Sequence, residues 1–251
     1  MSIAITCIVI IIIIAGVLFF RMIRTQINQG SPGYQHLDIG RRLQSEGRDN
    51  EALKEYKLAE KEFRNTNNDK ELGKAIFLQA LLYKQHNKYE KAEAKFASAI
   101  DLCRKLKDDD SLAHAFVKLG EMRRDQELFD EAAECYVSAA ELWKALSVKE
   151  NQAYALYHLG IIKAEENKAD DAVNSFNNAL KIYRIKKNND ELAEILLETA
   201  EIEIKLGKSQ DAVTNLVEAE KLYNKLRNKQ KSEYVRHLAI EHLDRFENEE
   251  Q

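Results

Sequence analysis

Glycine or alanine returns every 40 residues along most of this chain, at Gly40, Ala80, Gly120, Gly160 and Ala200, and that period constrains the fold more than any single motif. Two further columns of small residues keep the same register: Ala52, Ala92, Ala132, Ala172 and Ala212, then Ala59, Ala99, Ala139, Ala179 and Ala219. Between them stand Tyr56, Phe96, Tyr136, Phe176 and Leu216. Small, large, small at i, i+4 and i+7 lies on one face of a helix. Residues without bulk are needed where two helix backbones approach, and a large one fills the adjoining gap. The stretch from Ala155 to Tyr183 holds one whole unit, two amphipathic helix patterns broken by a short polar turn. A period in this range specifies a helical solenoid, in which each repeat buries its face on the next and no second core is needed.

The pattern resembles the tetratricopeptide repeat, in a form of 40 rather than 34 residues such as spindle-orientation and kinesin light-chain arrays carry. The residues that carry the resemblance are Leu159 and Gly160 in the first helix of the unit, helix A, and Ala172, Phe176 and Ala179 on the packing face of the second, helix B. It extends from Tyr34 to about Leu226. The chain departs from the family three residues after the glycine column, where an aromatic is usual and Tyr83, Arg123, Lys163 and Glu203 stand, and in lacking the closing proline. The resemblance implies an all-α fold, a right-handed α-solenoid of about five helix pairs closed by a C-terminal helix.

Composition agrees. With 9 Gly and 1 Pro in 251 residues there is little material for turns or linkers, while 32% charged residues supply solvated helix faces. A net charge of −4 disfavours nucleic acid, which generally requires a basic excess. Cys7, Cys103 and Cys135 are odd in number and irregular in spacing, which argues against a disulfide framework and fits a reducing compartment better.

Residues 2–20, SIAITCIVIIIIIAGVLFF, carry no charge and would span about 28 Å as a helix, close to the hydrocarbon thickness of a bilayer. A transmembrane anchor is expected. A cleaved signal peptide fits less well, because no basic segment precedes the run and Arg21 follows it where a small residue should stand. Six residues ahead of Cys7 are too few for a lipoprotein signal. Arg21, Arg24, Arg41 and Arg42 after the span place the array on the cytosolic side of a single-pass protein by the positive-inside rule.

Residues 21–33 then form a juxtamembrane linker, and the array occupies 34–231, with repeats at about 34–73, 74–113, 114–153, 154–193 and 194–231. Polar stretches such as NTNND, KDDDS and KNNDE separate them and supply caps for the following helix. In 232–251, Val235, Leu238, Ala239, His242, Leu243 and Phe246 form a stripe suited to covering the open end of the last repeat, followed by an acidic tail.

No motif for catalysis, metal or cofactor emerges. There is no Gly-rich phosphate loop and no nucleophile elbow. His237 and His242 are five apart, which does not give the i, i+4 pair that shares a metal. His114 and His158 lack a carboxylate or thiolate cluster, and Cys103 and Cys135 take positions filled elsewhere by packing or surface residues.

Function then belongs to a surface. In the family the concave groove is lined mainly by helix A, and the matching positions are Phe77, Leu78, Leu81 and Lys84 in repeat two and His114, Val117, Lys118, Glu121 and Arg124 in repeat three. Repeat four supplies Tyr154, Tyr157, His158 and Ile161, and repeat five Leu197, Glu198, Glu201 and Ile204. An apolar and aromatic cluster rimmed by charge suits a helix or extended peptide. Phe77, Val117, Tyr157 and Leu197 share one register and serve equally well as packing residues. The carboxylate clamp of co-chaperone arrays would require Leu37, Arg41, Leu78, His114 and Lys118, of which Lys118 alone is cationic where the resemblance demands it. The expectation is therefore a membrane-anchored scaffold or adaptor with a protein or peptide partner. An organelle import or chaperone-docking receptor is the alternative, an enzyme a distant third, and oligomeric state stays open.

Overall fold

The structure, a computed structural model, describes residues 30–186 and 189–249. The anchor expected at 2–20 and most of the linker lie outside the described residues. Among the described residues, no helix is long and apolar enough to cross a membrane.

Eleven helices and no strand occur there: α1 (Pro32–Ser45), α2 (Asp49–Asn65), α3 (Asp69–Gln85), α4 (Tyr89–Leu106), α5 (Asp109–Asp125), α6 (Phe129–Ala145), α7 (Lys149–Glu165), α8 (Ala169–Lys186), α9 (Asn189–Lys205), α10 (Ser209–Lys225) and α11 (Lys229–Glu249). Helix A begins at Asp69, Asp109, Lys149 and Asn189, five residues ahead of the repeat starts phased from the small residues at 74, 114, 154 and 194. The chain divides into two compact units, residues 1–106 and 107–251. In the first, α1 to α4 pack in succession around Leu37, Tyr56, Phe63, Ile76 and Leu82. In the second, α5 to α11 do the same, with Tyr136 and Trp143 central to one cluster and Phe176, Leu196 and Leu216 to another.

The helix hairpins follow from one turn used repeatedly. Positive φ angles fall at Gly47, Asn67, Asn87, Lys107, Glu127, Ser147, Asn167, Gly207 and Arg227, between 52° and 74°, at multiples of 20 residues. At Glu127 the amide of the next residue, Leu128, donates to the Arg123 carbonyl at 2.9 Å while its own donates to Arg124 at 2.8 Å, the paired closure that ends a helix on a left-handed residue. The Asn68 side chain then accepts from the Glu71 amide at 3.4 Å, and Asp108 does the same for Ser111 at 3.1 Å, as the polar stretches lead one to expect. Glu127 and Arg227 have a Cβ where only glycine escapes steric cost. Replacing either by glycine is therefore expected to raise stability by about 0.5–1 kcal/mol, read as an upward shift in melting temperature, with a smaller gain at Asn67, a residue type that tolerates this region.

The small and large columns are the packing seam. Ala52, Ala92, Ala132, Ala172 and Ala212 are 0% exposed, and so are Tyr56, Phe96, Phe176 and Leu216. A Cβ added at Gly160 would lie 2.6 Å from the Phe176 ring, and one at Gly40 would lie 2.5 Å from Tyr56. Glycine is thus required at these two crossings, while Gly120, where the nearest atom would be 3.1 Å away, is less constrained. The register at which the family usually has an aromatic is filled by several chemistries. Tyr83 is buried, Arg123 pairs with Glu131 at 3.1 Å, and Lys163 pairs with Glu166 at 2.6 Å. Glu203, 2% exposed, accepts from the Asn215 amide at 2.7 Å, and burial holds its carboxyl above the ordinary range.

Helix α11 packs on α10 through Val235, Ala239 and His242, with Leu238 half-buried and Leu243 exposed. The Phe246 side chain falls outside the described residues.

Candidate functional site

The residues expected to line a groove fall in both units. In the first, Phe77 and Leu78 of α3 are half-buried against the core, Phe77 meeting Phe96 edge-on at 5.9 Å. Leu81 and Lys84 follow on the same helix and are also half-buried. Of the clamp positions in this unit, Leu37 is 1% exposed and belongs to the core, and Arg41 pairs with Asp38 at 3.3 Å. A carboxylate cannot be gripped through a buried leucine.

In the second unit, α5, α7 and α9 bring the remaining residues together. His158 sits in an aromatic cage, stacked on Tyr136 at 5.5 Å and flanked by Tyr154 at 4.3 Å and Tyr157 at 5.1 Å. Burial is the main reason its pKa falls to about 4, with Arg124 and Lys118 acting in the same direction, so the imidazole is neutral at pH 7. It serves as a flat aromatic element there and not as a charge. Tyr157 packs on Phe176 at 5.8 Å and its hydroxyl donates to Glu198. Burial first, and that carboxylate second, push its phenol well above the ordinary range. Tyr154 is 38% exposed, and Ile161 is half-buried one helical step from His158. Val117, at the register of Tyr157, is 3% exposed and belongs to the core.

The charged rim is neutralised from within. Lys118 pairs with Glu121 at 2.6 Å, and Arg124 forks onto Glu165, its Nε donating at 2.9 and 3.0 Å. The same kind of bond joins the later first helices to their neighbours: Lys231 of α11 to Glu194 of α9, and the Tyr234 hydroxyl to Glu201 at 3.3 Å. Sequence reasoning placed Lys118, Glu121 and Arg124 on the rim as contact charges but missed Glu165 as the partner of Arg124 and Glu194 as the partner of Lys231. The signal lay in complementary side chains about one repeat apart, Arg124 with Glu165 and Tyr157 with Glu198.

His114 meets Trp143 edge-on at 5.0 Å. Cys103 is half-buried, and burial raises the Cys135 thiol to about 11, which makes it a packing group and not a nucleophile. Among the described residues, no group of three His, Cys, Asp or Glu side chains converges as a metal site would require.

A feature without counterpart in the sequence reading is a cleft of about 600 Å³ bounded by α6, α7 and α8, lined by Val137, Leu156, Leu159, Lys144, Lys149 and Lys181 among others.

Residues 111–185 match the tetratricopeptide repeat family, residues 151–250 the soluble NSF attachment protein (SNAP) family, and residues 51–126 the family of anaphase-promoting complex subunit 5. No curated protein matches the chain. Among solved structures it is similar to the apo form of RapI, at 16% identity and a TM-score of 0.75 over 87% of this chain and 62% of that one. It is also similar to aspartyl phosphate phosphatase F from Bacillus subtilis, at 16% identity and a TM-score of 0.70 over 92% of this chain and 64% of that one. The repeats of a putative kinesin light chain from Podosopora anserina share 14% identity and a TM-score of 0.65, over 78% of this chain and 98% of that one. The chain thus spans less than two thirds of RapI and of the phosphatase. Repeats of tetratricopeptide type are shown at residues 111–185, and among the described residues the fold is all-α.

Proposed function

We propose that this chain is a non-enzymatic scaffold whose helix A face in the second unit binds a protein or peptide partner, and that residues 2–20 hold it at a membrane on the cytosolic side. The observation that carries the binding reading is the α7 surface, where Tyr154 and Ile161 flank the neutral His158 between charges already paired among themselves. An aromatic and aliphatic patch of this kind supplies binding energy without the desolvation cost of a free charge. Phe77, Leu78, Leu81 and Lys84 offer a separate half-buried strip on α3 for the same partner or another. Membrane anchoring rests on the uncharged run at 2–20 and the arginines that follow it. Recruitment to a surface raises local concentration without new contacts. An import or chaperone-docking receptor is less well supported, since Leu37 lies in the core where the clamp needs a polar side chain.

Affinity capture with the tagged full chain from membrane fractions tests this reading. Tyr154→Ala with Ile161→Ala is the variant of choice: Ile161 also packs on the core, but Tyr157 is held there in addition by Phe176 and by its hydroxyl bond to Glu198. It is expected to weaken the captured partner at least about tenfold while helicity by circular dichroism is kept. Removal of residues 2–20 should move chain and partner together into the soluble fraction. A folded double variant that holds its partner as tightly as the parent would exclude the α7 face.

A further inference from the structure

We propose that the cleft between α6 and α8 is a second docking site, and that it takes an acidic amphipathic helix from a protein partner. Its floor is aliphatic: Leu156 and Leu159 of α7 are half-buried there, and Val137 of α6 stands 40% exposed beside them. Its rim is cationic, with Lys144, Lys149 and Lys181 against a single carboxylate, Glu141, in a chain of net charge −4. Other lysines of this unit are satisfied internally, Lys118 by Glu121, Lys163 by Glu166, Lys208 by Asp170 and Lys231 by Glu194. Among the described residues, no carboxylate pairs with the three rim lysines.

The next repeat shows how such a cleft is bridged. Forty residues further on, Arg184 of α8 bridges to Glu218 of α10, with nitrogen to oxygen distances of 3.1 and 2.6 Å. The counterparts of that pair between α6 and α8 are Lys144 and Asn178, both on the wall of the cleft. Asparagine offers no charge, so the bridge is missing and Lys144 lacks the carboxylate that its register provides one repeat later. The counterparts in the two repeats before are Arg64 with Ser98 and Arg104 with Ser138, so there too the register holds no carboxylate. A partner helix with leucines on one face and Glu or Asp beside them would supply that carboxylate and cover the floor together. At 3.6 residues per turn, Leu156 and Leu159 point roughly opposite to Tyr154, Tyr157 and Ile161 on α7, so this site is distinct from the aromatic face and can be occupied at the same time.

The test is a titration of the full chain, kept in non-ionic detergent, into a fluorescein-labelled synthetic helix of leucines and glutamates, read by anisotropy. A counterpart with lysine in place of every glutamate serves as the control. The acidic peptide is expected to bind with an affinity that falls as salt rises, and the basic one at least about tenfold more weakly. Asn178→Glu places the missing carboxylate opposite Lys144, closes the cleft and should lower acidic-peptide affinity at least about tenfold, and because it adds an ion pair without removing packing the fold is retained. Lys144→Glu with Lys181→Glu should have the same effect, whereas Lys221→Glu, the counterpart of Lys181 on α10, should have none. Equal binding of the two peptides, binding unaffected by Asn178→Glu, or no saturable binding of the acidic peptide would overturn the proposal. So would binding to detergent micelles doped with phosphatidylserine that is tighter than to neutral micelles, is abolished by Lys144→Glu with Lys181→Glu and is not competed by the acidic peptide, which would assign the lysines to lipid.

Discussion

Replacing Phe176 by alanine is expected to lower stability by about 3–5 kcal/mol, the largest effect of any single truncation at the repeat seam. The ring is 0% exposed and belongs to a cluster that draws on α7 through α11, so the cavity opens where five helices depend on one another. Its partner is the absence of a side chain. Gly160 leaves room for the ring, and a methyl there would sit 2.6, 2.7 and 2.9 Å from three ring carbons. Gly160→Ala alone should therefore be destabilising by about 1–3 kcal/mol through overpacking, although alanine is intrinsically the better helix former by about 1 kcal/mol. With Phe176→Ala already in place the collision is gone, the helix preference is all that remains, and the same Gly160→Ala change should stabilise. Urea denaturation of the four proteins measures the inversion as a coupling energy. If Gly160→Ala has the same sign in both backgrounds, the ring and the glycine do not share the crossing.

Ala172→Leu should destabilise by about 1–3 kcal/mol, and Ala132→Leu by a similar amount, because both positions are 0% exposed at the start of the second helix of a repeat. Leucine adds three carbons where two backbones meet, and the interior is too dense to absorb them without displacing the neighbouring helix. Leucine at Asn174, exposed on the same helix two residues away, should change stability by less than about 0.5 kcal/mol. Thermal melts of the three variants side by side separate a packing register from a general intolerance of leucine in α8. A shift for Asn174→Leu as large as that for Ala172→Leu would mean the register is misassigned.

The all-α repeat was legible before the structure because the constraint on it is local and recurrent. Close helix crossings tolerate only Gly or Ala, and five crossings in register wrote that requirement into the sequence five times. The turns were legible in part: Gly47, Asn67, Asn87, Asn167 and Gly207 advertise a left-handed residue, while Lys107, Glu127, Ser147 and Arg227 occupy the same conformation without a compositional signal. There the backbone hydrogen bonds that end each helix impose the angle on whatever side chain is present.

What the sequence determined by itself was thus the period, the helix pairing and the seam residues, all set by contacts between segments close along the chain. The tertiary structure decided what the surface side chains do. Arg124 reads as a rim charge until Glu165 is placed beside it, and Tyr157 reads as a free anchor until Glu198 holds its hydroxyl. Lys144, which a helical pattern assigns to solvent, becomes notable only because Asn178 stands where Glu218 stands one repeat later. The physical reason is range. Helix and turn preferences act over a few residues, whereas an ion pair, a buried imidazole or an open cleft depends on which side chains two neighbouring repeats bring within about 3 Å of each other, and only packing sets that distance.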